Sequence, residues 1–198
     1  MVSYSKNEWF YGRDELLSDL FRKFQEKREH CYNNRLALYG LGGVGKTQTA
    51  LAYIYAKREF YVSIFWISGV NETTLRSDFR RIAKCVGIDT PDADDCIVRV
   101  LAWLNQQTNW LLVVDNLDEI EIIDGFLPDN DLKKHTLITT RNPNADGIPA
   151  EGLEVRVLTQ KNAMDLLLLR AKLPVDSEIL RIEAKKIVIK LGCLPLAI

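Results

Sequence analysis

Gly40-Leu-Gly-Gly-Val-Gly-Lys-Thr47 decides how this chain is read. The eight residues fit the pattern GxxxxGK[ST], and both flanks that the pattern requires are present. Arg35–Tyr39 before it has the apolar character of a short buried strand, and Gln48–Ala56 after it has the composition of a helix. Gly40, Gly42, Gly43 and Gly45 allow the backbone around Val44 to turn with positive φ and aim its N–H groups at phosphate oxygens. The helix that opens near Gln48 directs its positive end at the same place. In such a loop the Lys46 ammonium reaches the terminal phosphates and the Thr47 hydroxyl ligates Mg²⁺. The plain alternative, a glycine turn joining any strand to any helix, does not call for lysine and threonine in these two places. The stretch therefore predicts a site for a nucleotide triphosphate or diphosphate.

Working outward, the 198 residues are 47% hydrophobic and 27% charged, enough for a sizeable core and unlike a disordered chain. Lysine and arginine number 26 against 27 aspartates and glutamates, a formal charge of -1. That balance gives no overall electrostatic case for nucleic acid or an anionic membrane. No apolar run approaches the roughly 20 residues of a membrane span, and the first ten residues have no signal-peptide core. A soluble, cytoplasmic protein is expected. Cys31, Cys85, Cys96 and Cys193 lie far apart, with His30 and His135 as the other soft ligands, which points to reduced thiols and away from zinc or disulfides.

Upstream of the loop, Leu16, Leu17, Leu20, Phe21 and Phe24 recur at helical spacing and predict an amphipathic helix over Arg13–Glu29. Phe10, Tyr11 and Gly12 before it offer apolar surface for either of two uses, a lid over a nucleotide base or plain packing, and the residues alone favour packing. Downstream, Val62–Ser68 predicts a strand, Glu72–Val86 a helix, and Thr90 with Pro91 the start of a second helix running to about Gln107. Trp110–Asp115 is wholly apolar until its final carboxylate, the pattern of a strand buried on both faces whose C-terminal end opens into a site. Asp115 is thus the candidate for holding Mg²⁺ opposite Thr47, against the plainer role of a helix-capping aspartate.

Asn116 occupies the place where many phosphate-loop hydrolases carry a second, water-orienting carboxylate, with Asp118 and Glu119 a little further on. An amide positions water but does not take its proton at neutral pH, so slow hydrolysis is expected. His135–Arg141 predicts another strand, which brings Arg141 to the same sheet edge as Asp115 and suits its planar donors to a γ-phosphate. A solvated arginine at a strand end is the plain alternative. Leu153–Val157 predicts one more strand. From Thr159 the alternation stops: Ala163–Lys172 and Asp176–Leu191, the latter capped by Asp176, read as two helices of a different unit. Residues 1–158 are expected to form the α/β domain and 159–198 the start of a helical one. The chain finishes on an apolar stretch, Gly192–Ile198, so it is expected to be a piece of a longer protein.

In order and spacing, Tyr11-Gly-Arg13, the Gly40–Thr47 loop, Leu111–Asp115, Leu137–Arg141 and Gly192-Cys-Leu-Pro-Leu196 resemble the successive motifs of the NB-ARC family. These are the nucleotide-binding domains of plant disease-resistance proteins, animal apoptosome scaffolds and fungal or bacterial receptors, within the STAND class of switch ATPases. The resemblance implies a phosphate-loop α/β fold of three layers, a parallel sheet of order 5-1-4-3-2, and part of a small helical domain after it. It implies ADP or ATP with Mg²⁺ between the two units, Arg141 as the sensor of the γ-phosphate, Pro195 against the adenine, and Phe10–Arg13 lining the base. It further implies a signalling role in innate immunity or programmed cell death, self-association of the full-length ATP-bound form, and winged-helix, repeat sensor and effector domains beyond this chain. Asn116 departs from the paired aspartates common in plant members. A constitutively working ATPase and a DNA-gripping ATPase regulator of transcription or replication are the competing classes.

Overall fold

The computed structural model describes residues 4–26, 34–129, 131, 133–143 and 150–198. In chain order the elements are α1 (Asp14–Gln25), β1 (Arg35–Tyr39), α2 (Lys46–Lys57), β2 (Ser63–Ser68), α3 (Glu72–Val86), α4 (Ala93–Gln106), β3 (Trp110–Asp115), β4 (Lys134–Thr140), β5 (Glu151–Glu154), α5 (Gln160–Arg170) and α6 (Glu178–Lys190). The five strands form one sheet in the order β2-β3-β4-β1-β5, and every pairing is parallel. Counted from the other edge this is 5-1-4-3-2, the order the family resemblance implies. Parallel pairing needs crossovers; α2 lies on the one from β1 to β2, and α3 with α4 on the one from β2 to β3.

Alternation along each strand divides the core into two apolar layers. Ala37, Phe65, Ile67, Trp110, Leu112, Val114 and Ile138 face α3 and α4, where Leu75, Phe79, Ile82, Val100 and Leu104 meet them. Leu36, Leu38, Leu111, Val113 and Leu137 face α1 and α2, against Leu20, Phe24, Ala50 and Tyr53. Burial on both sides is why Trp110–Val114 is apolar throughout. A third, smaller cluster of Leu158, Ala163, Leu166, Val188 and Cys193 belongs to α5, α6 and the turn after them.

Several boundaries differ from the sequence-based expectation. The helix after the glycine loop begins at Lys46, two residues before Gln48, so the lysine and threonine belong to its first turn. Asp92, and not Thr90, caps α4: its carboxylate accepts from Asp94 N at 2.7 Å and Asp95 N at 3.1 Å, an ionised acceptor outcompeting a hydroxyl. Ser177, and not Asp176, caps α6, and α5 begins three residues earlier than Ala163, capped by Thr159. β5 covers Glu151–Glu154 where Leu153–Val157 was expected, because its partner β1 ends at Tyr39 and the chain turns away at Gly40. The first helix ends at Gln25; residues 27–29 of that expectation, with His30 and Cys31, lie outside the described residues. Among the described residues no helix is long and apolar enough to cross a membrane.

Candidate nucleotide-binding site

The C-terminal ends of β1, β3 and β4 open onto a cavity of about 560 Å³, within the roughly 300–1,000 Å³ typical of small-molecule sites. Its floor is the glycine loop. Gly40 has φ +144°, and a Cβ placed there would lie 2.5 Å from the Val155 carbonyl oxygen, so only glycine allows the loop to leave β1 beside β5. Gly45 caps α2 in the left-handed region and offers no side-chain acceptor, so no capping side chain covers the first-turn N–H groups of that helix. This is the donor set an anion requires.

Lys46, only 9% exposed, donates to the carbonyls of Gly40 (2.8 Å) and Leu41 (2.9 Å), which folds its ammonium back over the loop. Burial lowers its pKa; Asp118 and Asp115 oppose that shift and Arg141 adds to it. Thr47 Oγ1 donates to Asp115 Oδ1 at 2.8 Å, and Thr139 Oγ1 donates to the same oxygen at 2.6 Å. A hydroxyl and a carboxylate, two hard oxygen donors from separate elements, thus converge at the mouth of the loop, as Mg²⁺ prefers. Asp115 does not itself line the main cavity; it lines a neighbouring one of about 290 Å³ with Ser68, Asp78 and Arg81.

Asn116 lines the cavity with φ +62°, a left-handed conformation that asparagine tolerates better than most residues. Its N–H donates to Thr139 Oγ1 at 2.9 Å, and Leu117 N donates to Thr139 O at 2.8 Å, which fastens the turn after β3 to the end of β4. Arg141, one residue past β4, also lines the cavity. Its backbone N–H donates to Asp118 Oδ1 at 2.7 Å, and its Nε lies 3.4 Å from Asp118 Oδ2.

The opposite wall comes from both ends of the chain. Phe10, Tyr11 and Arg13 line it, and Arg13 Nη2 donates to Val44 O at 3.0 Å, with burial lowering the guanidinium's pKa. Gly12 does not face the cavity: its carbonyl accepts from Asn162 Nδ2 at 3.2 Å, and its φ of +69° turns it towards α5. Gly40 is likewise outside the lining. Pro195 and Leu196 close the wall, and Leu196 N donates to Gly43 O at 3.2 Å, tying the C-terminal turn to the loop. Tyr11 OH donates to Asp165 Oδ2 at 3.3 Å, while Arg181 Nη1 donates to Asp165 Oδ1 at 2.6 Å. Burial, then the nearby Asp165, raises the Tyr11 pKa.

Of the residues singled out from sequence, Gly42, Gly43, Val44, Gly45, Lys46, Thr47, Gln48, Asn116, Arg141, Pro195, Phe10, Tyr11 and Arg13 share this one lining. Sequence reasoning missed Asn7, Trp9, Thr139, Leu158, Leu166, Arg170 and Leu196. Thr139 stood in the hydroxyl pair that ends β4 and was findable; Leu166 fell within an apolar helical stretch, and Leu158 carried no signal of its own. Asn7 Nδ2 donates to Gln48 Oε1 at 2.8 Å, a pairing across 41 residues that no local pattern announces.

Comparison with known proteins bears on the family and the fold. An NLR-like protein with a nucleotide-binding and leucine-rich-repeat name, from Hyaloscypha variabilis, is 30% identical over all of this chain, which spans 22% of that protein's length. A solved STAND protein with a tetratricopeptide repeat sensor, from Pyrococcus horikoshii, superposes with a TM-score of 0.58 at 16% identity, over 98% of this chain and 30% of that one. The Orc1 protein of Aeropyrum pernix, solved in complex with DNA, gives 0.55 at 18% identity, over 82% and 50%. These two structures share the fold. The family described as the NB-ARC domain matches residues 13–173. The chain, with its glycine loop, its strand-end aspartate and its parallel five-stranded sheet, belongs to the NB-ARC family of nucleotide-binding domains.

Proposed function

We propose that this domain is the ATP/ADP switch of a STAND- or NLR-like signalling protein, resting with ADP and opening towards self-association with ATP. The observation that carries the reading is that one cavity is walled by the α/β unit on one side and by Pro195 and Leu196 of the helical unit on the other. A ligand held there touches both units, so a ligand with different contacts in two arrangements shifts the balance between them. Lys46 and the N-terminal turn of α2 receive the phosphates, Phe10–Arg13 and Pro195 hold the base, and Arg141 reaches a γ-phosphate. Thr47 and Asp115 would hold Mg²⁺, which would supply charge neutralisation to the bound phosphates. Asn116 offers no proton acceptor beside them, which supports slow hydrolysis and a conformational role in place of steady work.

The test is binding calorimetry on the chain with ADP and a non-hydrolysable ATP analogue. Arg141→Ala is expected to weaken the analogue and leave ADP within about twofold, a selectivity expected of a single charge-assisted contact. Equal weakening of both nucleotides would make Arg141 structural. Steady-state turnover at about 1 per second or faster, the low end of ordinary enzymes, would replace the switch with a working ATPase.

A further inference from the structure

The turn Asn116-Leu117-Asp118 is stitched to the end of β4 by the Asn116 and Leu117 N–H groups on Thr139. That stitching presents the Asp118 carboxylate to Arg141 in two separate ways. One oxygen is fixed by the backbone N–H of Arg141 at 2.7 Å; the other stands 3.4 Å from the Nε of its side chain. The first contact does not depend on the guanidinium, so the carboxylate stays in place whether or not the side chain leaves. The second is loose and wet, with the two side chains 36% and 63% exposed. Arg141 meanwhile reaches over the phosphate loop: a Cβ built on Gly42 would lie 3.9 Å from its Nε and 4.0 Å from its Cζ. One guanidinium therefore stands between an anchored carboxylate and the place where the loop receives phosphate.

We propose that Asp118 is a positioning residue that competes with a γ-phosphate for Arg141 and so sets how strongly the site prefers ATP over ADP. This rests on Arg141 as the γ-phosphate contact. With ADP nothing draws the guanidinium away, and the pair to Asp118 persists. With ATP the guanidinium exchanges a carboxylate for a phosphate oxygen, while the backbone contact keeps the turn and Asn116 in register. The exchange costs little because a half-exposed pair is weakly held. Its effect is to tax ATP and not ADP, and this biases the site towards the diphosphate.

A double-mutant cycle on the chain tests this, with calorimetric Kd values for ADP and the non-hydrolysable ATP analogue in wild type, Asp118→Asn, Arg141→Ala and the double variant. Asp118→Asn keeps an acceptor for the Arg141 N–H and removes the charge. It is expected to tighten the analogue by about two- to fivefold, the size of an exposed ion pair, with ADP unchanged. In the Arg141→Ala background the same substitution is expected to change neither nucleotide. A gain that persists undiminished without Arg141 would mean that Asp118 repels phosphate directly, and it would overturn the proposal. So would an equal gain for ADP, or no gain at all. Thermal unfolding of each variant checks folding, and Asp118→Ser, which also keeps an acceptor, repeats the measurement where asparagine is poorly tolerated. A wild type that binds neither nucleotide, or an Arg141→Ala change equal for both, would instead remove the underlying function.

Discussion

At the scale of single residues, Lys46 and Asn116 separate the proposed binding role from the proposed chemistry. Lys46 carries the only side-chain charge in the first turn of α2 and is nearly buried against the loop carbonyls. Charge-assisted contacts contribute about 1.5–3 kcal/mol, so Lys46→Ala should weaken ADP and ATP by about tenfold or more, read by calorimetry. Wild-type affinity in that variant would remove the phosphate reading. Asn116 answers to two demands at once. Its φ of +62° favours asparagine, aspartate or glycine, and the residue lines the cavity. Asn116→Asp therefore fits the backbone and adds a base; it should raise the single-turnover rate with Mg²⁺-ATP, where general-base help is worth about 10²–10⁴ in favourable geometry. An unchanged chemical step with a raised ATP Kd would show repulsion in place of catalysis. Asn116→Val, by contrast, should lose about 1–2 kcal/mol of stability to backbone strain alone.

Between elements, a buried polar chain links α2, the segment before β2, and β4. Tyr53 OH and Tyr61 OH are 2.8 Å apart, and Tyr61 OH is 2.8 Å from His135 Nδ1, with Phe24 of α1 stacked on the imidazole at 4.5 Å. Burial pushes the Tyr53 phenol up to about 12, and it raises the Tyr61 phenol further. Both hydroxyls thus stay neutral through any physiological pH. Tyr61 is the middle member, so Tyr61→Phe removes two buried hydrogen bonds at once and should destabilise the fold by about 1–3 kcal/mol. Tyr55→Phe, whose hydroxyl reaches only the exposed carbonyl of Tyr4, should cost less than about 0.5 kcal/mol in the same urea titration. Equal losses would mean that the chain contributes nothing beyond a surface hydrogen bond.

Over the whole molecule, α5, α6 and the turn after them meet the rest of the chain around the cavity, through Leu194 packed on the layer below α1 and α2 and through polar contacts. Asp165 is central to the polar ones: 7% exposed, it accepts from Arg181 of α6 and from Tyr11 before α1. Asp165→Ala leaves Arg181 without its carboxylate and releases Tyr11. It should cost about 1–3 kcal/mol and raise the dissociation rate of ADP, measured by displacement of a fluorescent analogue. A lower stability with an unchanged rate would place the helical unit away from the bound nucleotide. Asn162→Ala, which removes the contact to the Gly12 carbonyl, should act in the same direction and more weakly.

The strands were legible because the signals are local and physical, whereas their order rested on the family resemblance and on no local signal. An apolar run that ends in Asp115, a hydroxyl pair before Arg141 and a glycine loop between a strand and a helix each state their surroundings in a few neighbouring residues. The glycine-loop floor, Asn116 and Arg141 followed from them, while Phe10–Arg13 and Pro195 rested on the family resemblance. The caps were misplaced by a residue or two, because Thr90, Asp92, Asp176 and Ser177 are all competent capping residues and only the path of the chain chooses among them. Tertiary structure alone decided the rest. That Gly40 packs on Val155, that Asn7 meets Gln48 and that Leu166 faces a ligand cavity depend on segments far apart in sequence, and hydrophobic periodicity cannot tell a wall of a site from a wall of the core. The hold of Asp118 on Arg141 is of the same kind, since a carboxylate three residues past Asp115 acquires a partner only when β3 and β4 lie side by side.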